Sequence, residues 1–228
     1  MRKYDIFLFD ADNTLFDYDM AEQNALKIMF ERCGFAYSEA IRQIYREINA
    51  REWAKYEQGR SSKEELQVSR FARLFDYIKV EHDAEDFNAN YLTELGKGAF
   101  LIDGAKEICG YITSNNKKIY IVTNGILATQ TARIEYSSIK EYISGFFVSE
   151  FVGYAKPHIN YFDYVFAHIE QVQKDKIIIV GDSLAADIAG GNNAGVDSCW
   201  FNPSGKANDT GIQPVYEISA LGGLKKFV

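Results

Sequence analysis

Three short apolar runs, each closing on a cluster of polar residues, constrain this chain more than any other feature. Tyr4–Phe9 runs into Asp10-Ala11-Asp12-Asn13-Thr14, Ile119–Val122 into Thr123-Asn124-Gly125, and Lys176–Val180 into Gly181-Asp182-Ser183. None alternates cleanly between apolar and polar residues, and all are rich in β-branched or aromatic side chains, as expected of parallel strands buried on both faces. Ligands of an open parallel sheet sit outside the carboxyl ends of its strands. The three polar clusters are therefore expected to converge on one crevice.

Between the later runs the pattern turns helical. Pro157 is predicted to open a helix carrying Phe162, Val165, Phe166 and Ile169 at spacings of three and four. Leu184–Asn193 reads as another helix, ended by Ala194-Gly195, with Gly190-Gly191 permitting close backbone packing, and Cys199-Trp200-Phe201 as a further strand. This alternation predicts an α/β fold, a doubly wound Rossmann-like parallel sheet. Residues 17–98 interrupt it with four helical patterns and no convincing strand, so we expect a helical cap domain inserted into a core made of residues 1–16 and 99–228. Asp19-x-x-Glu22, Ser62-x-x-Glu65 and Asp83-x-x-Asp86 resemble capping-box starts, and Gly34 and Gly59 stand where helices should stop. Ile41, Ile44, Tyr45 and Ile48 are expected to form one buried face, and Phe71, Leu74, Phe75 and Ile78 another.

Composition narrows the partners. A chain of 228 residues with 47% hydrophobic content can bury a full core without staples, and its three cysteines show neither a paired framework nor zinc-ligand spacing, which fits a reducing cytoplasm. Asp5 and Asp10 interrupt any signal-peptide core, and no apolar run approaches membrane-spanning length. A net charge of −7 disfavours polymeric nucleic acid, whose binding needs cations that displace condensed counterions. It does not disfavour a small phosphorylated partner, because a metal ion and one or two cations reverse the potential of a pocket locally.

Asp10 and Asp12 lie two apart beyond a buried strand. Taken alone the pair is ambiguous, since acidic residues commonly cap the following turn. Its conjunction with Thr123, Lys156 and Asp182 is more telling. Phosphoryl transfer to a carboxylate requires a metal between two mutually repelling anions, and Asp10 and Asp182 offer the hard oxygen ligands that suit Mg²⁺. The Thr123 hydroxyl and backbone N–H groups from Thr123 and Asn124 can hold phosphoryl oxygens, while Lys156 neutralises the charge that builds on the nucleophile.

Together, Asp10-Ala11-Asp12-Asn13-Thr14, Thr123, Lys156-Pro157 and Gly181-Asp182-Ser183-x-x-x-Asp187 resemble the four motifs of the haloacid dehalogenase superfamily of phosphohydrolases. The resemblance spans the core from Tyr4 to about Pro203, and the helical insertion is similar to that superfamily's mobile cap. It implies that Asp10 attacks phosphorus to form an aspartyl-phosphate, and that Asp12 protonates the leaving oxygen and later activates water. It also implies that the Asp12 backbone carbonyl joins Asp10 and Asp182 on Mg²⁺, with Ser183 and Asp187 supporting these ligands from behind. The founding dehalogenases lack an acid at the position of Asp12, so its presence favours a phosphatase; phosphomutases keep both aspartates and stay as an alternative.

The run from Gly181 to Gly195, followed by Cys199-Trp200-Phe201-Asn202-Pro203, is further similar to a subfamily of bacterial pyrimidine 5′-nucleotidases. That implies a nucleoside monophosphate as the substrate, with sugar phosphates as the alternative. Specificity is expected in the insertion, where Arg60 sits at a helix-to-helix turn near Trp53 and Tyr56; in capped members such a turn faces the catalytic strand ends, so the arginine could reach a substrate and the aromatics stack on a base. A solvated arginine and two packed aromatics explain the same residues equally well. A receiver-type signalling module also combines an aspartate, a Thr or Ser, a Lys-Pro and Mg²⁺. There the acidic pair precedes the phosphorylated aspartate, whereas here Asp10 and Asp12 open the order. A non-catalytic phosphate-binding descendant would have lost a motif residue, and none is lost.

Overall fold

The computed structural model describes residues 2–170 and 173–228. The chain divides into two compact units, Met1–Tyr18 with Ala99–Val228, and Asp19–Gly98. It enters with β1 (Ile6–Phe9) and then runs through α1 (Tyr18–Cys33), α2 (Glu39–Glu57), α3 (Lys63–Ile78) and α4 (Ala84–Lys97). It continues with α5 (Ala105–Ser114), β2 (Lys118–Thr123), α6 (Leu127–Tyr136), β3 (Gly145–Val148), α7 (Ser149–Val152) and α8 (Ile159–Ala167). The last elements are β4 (Ile177–Gly181), α9 (Ala189–Ala194), β5 (Asp197–Phe201) and β6 (Tyr216–Ile218).

The strands of the first unit form one parallel sheet in the order β3-β2-β1-β4-β5-β6. This is the doubly wound arrangement that the alternating pattern predicts. The order reverses beside β1, and Phe9 lies level with Ile121 and Val180, so Asp10 leaves the sheet at the switch point where such folds bind ligands. The lack of alternation has a simple cause. Phe7, Phe9, Ile121 and Val180 pack on one face against Ile108 and Ile112 of α5, while Leu8, Val122 and Ile179 pack on the other against Phe162 and Val165 of α8. Each such burial contributes roughly 1.5–3 kcal/mol, so an apolar residue is favoured at every position.

Two local expectations change in this unit, and two strands are added. Pro157 does not open a helix: the Lys156–Pro157 bond is cis, and α8 starts at Ile159, capped by His158, whose Nδ1 accepts the Asn160 N–H at 3.2 Å. The predicted helix Leu184–Asn193 is split, because Leu184–Ile188 winds as a wide π turn before α9 begins. Strands β3 and β6 had no counterpart in the sequence reading; they are three or four residues long at the two sheet edges. Where the first unit gives way to the inserted helices, Phe16 forms an antiparallel bridge with Leu101, and the Asp17 N–H donates to the Phe100 carbonyl at 2.9 Å.

In the second unit Ser62 and Glu65 complete a capping box: the Ser62 hydroxyl accepts the Glu65 N–H at 3.1 Å, and the Glu65 carboxylate accepts the Ser62 N–H at 2.9 Å. Asp83 caps α4 through the N–H groups of Glu85 and Asp86. Gly34 and Gly59 follow α1 and α2 with φ of +70° and +67°, values that favour glycine. Asp19 is not a cap. It lies within the first turn of α1, and its partner in the spacing, Glu22, is buried 3.6 Å from Arg42.

The face of α2 also differs from the expectation, for Ile41, Ile44 and Ile48 are only half-buried while Arg42, Tyr45, Asn49 and Glu52 are buried. The cause is a buried arginine on α3. Arg70 donates to Asn49 at 3.2 Å and to Asn88 at 2.7 Å, so the interior between α2, α3 and α4 carries polar as well as aromatic packing. Phe71, Leu74 and Phe75 supply the apolar part with Phe87 and Tyr91. Among the described residues no helix is long and apolar enough to cross a membrane.

Candidate active site

Asp10 is placed by its own strand, for its N–H donates to the Val180 carbonyl of β4 at 2.9 Å. Beyond it the chain curls tightly: Leu15 and Phe16 both donate backbone N–H groups to the Ala11 carbonyl, and Asn13 takes a left-handed φ of +57°. Among residues with a side chain, a short polar one tolerates that conformation best. The curl keeps Asp12 at the strand ends instead of sending it into a helix.

Lys156 reaches the same place from the loop after α7. Its side chain is about 1% exposed, and its ammonium donates to Asp10 Oδ1 at 2.7 Å, Asp187 Oδ1 at 2.6 Å and the Val122 carbonyl at 2.7 Å. Asn124 fixes the backbone beneath it. The Asn124 amide accepts the Lys156 N–H at 2.8 Å and donates to the Lys156 carbonyl at 2.9 Å, so this side chain braces the lysine loop. The Thr123 hydroxyl, buried at the end of β2, accepts the Gly125 N–H at 3.1 Å.

The π turn after β4 holds the remaining acids. Ser183 accepts the Ala186 N–H at 3.1 Å, and its own N–H donates to Asp187 Oδ2 at 3.1 Å. Gly181 makes room for this: a Cβ there would stand 2.1 Å from Asp187 Oδ2. Trp200 donates its indole N–H to the Asp182 carbonyl at 2.9 Å, pinning the peptide that carries the next carboxylate.

Oxygen atoms of Asp10, Asp182 and Asp187 all lie within 4.8 Å of one another, an arrangement that could hold a metal ion. Burial, and then the surrounding carboxylates, push Asp10 above the ordinary carboxylate range against the pull of Lys156. Burial and Asp187 push Asp182 up to about 7. Lys156 is held in its charged form: burial opposes the charge, but Asp10 and Asp187 outweigh it. Among the described residues Asp10, Asp12, Asp182 and Asp187 meet Lys156 and Arg133 here, and so many hard oxygen donors suit a divalent cation such as Mg²⁺.

Two residues of the site were not anticipated from the sequence. Arg133 and Gln130, one turn apart on α6, donate to Asp12 Oδ1 and Oδ2 respectively, the latter at 2.7 Å. The only sequence signal is a polar pair at helical spacing just after Thr123-Asn124-Gly125, and surface helices are full of such pairs. Trp53, Tyr56 and Arg60 belong to the other unit. Trp53 and Tyr56 meet edge-on at 5.8 Å, Lys63 lies 5.3 Å from the Tyr56 ring, and Arg60 is exposed.

Comparison with known proteins agrees with this geometry. A family model described as haloacid dehalogenase-like hydrolase matches residues 4–195. HAD-hydrolase YfnB of Bacillus subtilis is 38% identical over 97% of this chain and 94% of its own length, and its crystal structure superposes with a TM-score of 0.94, covering 99% of this chain and 98% of that one. Pyrimidine 5′-nucleotidase PynA of Streptococcus pneumoniae is 36% identical over 94% of this chain and 91% of its own. Pyrimidine 5′-nucleotidase YjjG of Escherichia coli is 31% identical over 99% and 98%. With its motifs gathered at the ends of β1, β2 and β4 and relatives matched along nearly its whole length, the chain belongs to the haloacid dehalogenase-like hydrolases.

Proposed function

We propose that this hydrolase is a Mg²⁺-dependent phosphomonoesterase that acts on nucleoside 5′-monophosphates, pyrimidine ones above all. The observation that carries the reading is the buried Asp10 carboxylate, bonded to Lys156 and clustered with Asp182 and Asp187, with a second carboxylate two residues along the curl. The nucleotide preference is supported by PynA and YjjG, whose names assign them pyrimidine 5′-nucleotidase activity. The metal is supported by the acidic cluster and by YfnB, which has been crystallised bound to magnesium.

In this reading an Asp10 oxygen attacks phosphorus as the bond from phosphorus to the ester oxygen breaks, and Asp12 gives that oxygen its proton. Water deprotonated by Asp12 then attacks the aspartyl-phosphate, releasing phosphate and restoring Asp10. Lys156 balances charge on Asp10 throughout, and Thr123 with the backbone N–H groups around Asn124 holds the phosphoryl oxygens. Mg²⁺, held by Asp10, Asp182 and the Asp12 carbonyl and supported by Ser183 and Asp187, would supply electrostatic stabilisation of the transferring group. Trp53, Tyr56 and Arg60 are the proposed specificity residues of the insertion.

Purified protein should release phosphate from uridine 5′-monophosphate and p-nitrophenyl phosphate with Mg²⁺, and lose this with EDTA. Asp10→Asn should lower turnover at least about a thousandfold. Turnover retained by that variant would overturn the nucleophile, whereas a preference for sugar phosphates in a substrate screen would overturn only the nucleotide.

A further inference from the structure

The side chain of Asp12 is gripped at both of its oxygens by one helix. Arg133, with 0% of its surface exposed, donates to Oδ1, and its guanidinium lies 5.5 Å from the Phe16 ring centre and 5.7 Å from that of Tyr18. Burying a guanidinium is costly unless its charge is matched, so space-filling alone would be better served by an apolar residue. Gln130, buried beside it, donates to Oδ2, and its own Oε1 has no hydrogen-bond partner among the described residues. A buried amide that leaves its carbonyl unpaired and spends its N–H on one carboxylate is held there for that carboxylate.

The neighbouring glycine is part of the same device. A Cβ on Gly125 would stand 2.3 Å from Gln130 Nε2 and 2.9 Å from its Cγ, too close for the amide to keep its place. The strand end that supplies Thr123 thus makes room for the residue that holds Asp12.

We propose that Arg133 and Gln130 are positioning residues for proton transfer by Asp12, fixing the plane of its carboxylate before substrate arrives, and that Gly125 lacks a side chain so that this clamp can form. The proposal rests on the acid role assigned to Asp12 above. Each carboxylate oxygen has two acceptor sites, so one donor per oxygen fixes the orientation and still leaves a site for the transferred proton. Transfer needs the oxygen within about 2.6–3.2 Å of the leaving group. Misplacement by about 1 Å is enough to cost on the order of a hundredfold in rate.

The test compares phenyl phosphate, whose leaving group needs a proton, with p-nitrophenyl phosphate, whose leaving group needs it far less. Asp12→Asn serves as the reference and should lose kcat selectively on phenyl phosphate. Gln130→Met and Arg133→Met should reproduce that selectivity, lowering kcat on phenyl phosphate at least about tenfold more than kcat on p-nitrophenyl phosphate. Arg133→Lys should recover part of the loss. If Arg133→Met fails to fold, Gln130→Met and Gly125→Ala carry the measurement. Gly125→Ala should show the same selectivity and add nothing in a Gln130→Ala background, because both remove one contact. Equal losses on both esters in Asp12→Asn would overturn the acid role itself. Selective loss in Asp12→Asn with none in the Gln130 and Arg133 variants would overturn the clamp and leave the acid standing.

Discussion

Both units of this chain bury charged side chains, and the settings differ. In the first unit Asp10, Asp187, Lys156 and Arg133 come from four separate segments and meet where the parallel strands end. In the second, Glu22, Arg42, Arg70 and Glu52 find amide, hydroxyl and charged partners on their own helix and on its neighbours. The first arrangement leaves surplus negative charge around an ammonium; the second tends to pair each group locally. Buried charge alone therefore does not mark a site. Convergence of carboxylates from distant segments, with charge left over for something else to balance, does.

Removing one cation from each unit should separate the two cases. Lys156→Met leaves Asp10 and Asp187 without their ammonium and should lower turnover about a thousandfold, with a loss of stability of about 3–5 kcal/mol. Arg70→Leu removes the donors to the Asn49 and Asn88 side-chain oxygens and should destabilise by about 2–4 kcal/mol, while kcat on p-nitrophenyl phosphate, measured well below the melting transition, stays within about threefold. A collapse of kcat in folded Arg70→Leu would break the distinction. A smaller effect should appear in the pH dependence of folding. Burial pushes Glu22 up to about 7, against the pull of Arg42 and Arg46 and with Asp19 adding to the rise. The folded state then holds a proton that the unfolded state releases near 4.5, so this group costs stability increasingly as pH rises from 4.5 to about 7, by on the order of 3 kcal/mol. Glu22→Gln should flatten that part of a melting-temperature profile, and an unchanged slope would assign the dependence to other groups. Smallest of all, Ser62→Ala removes one half of a capping box and should lower stability by about 1 kcal/mol in a denaturant titration.

The strands β1, β2 and β4 were legible because each carries an unbroken apolar stretch that stops abruptly at residues that chemistry requires. Edge strands β3 and β6 are too short, and too little enclosed, to leave such a mark: Phe146 of β3 is 37% exposed. On α2 the apolar period pointed to Ile41, Ile44 and Ile48, yet Arg70 needs an acceptor and draws Asn49 inward, so the buried face is rotated from the apolar one. Gln130 and Arg133 were hidden for a related reason. Their meaning depends on Asp12, more than a hundred residues away in sequence, and nothing local distinguishes them from a solvated pair.

The bridge between Phe16 and Leu101, with the Asp17 N–H on the Phe100 carbonyl, bears on how the gene for such a chain can be edited. The segments leading into and out of the helical insertion are held side by side by that bridge and hydrogen bond. A tight turn of about two residues is enough to join antiparallel neighbours, so cutting out the helices there leaves the ends a hairpin's width apart. The route of the strands that carry Asp10 is therefore set without reference to the length of the inserted segment.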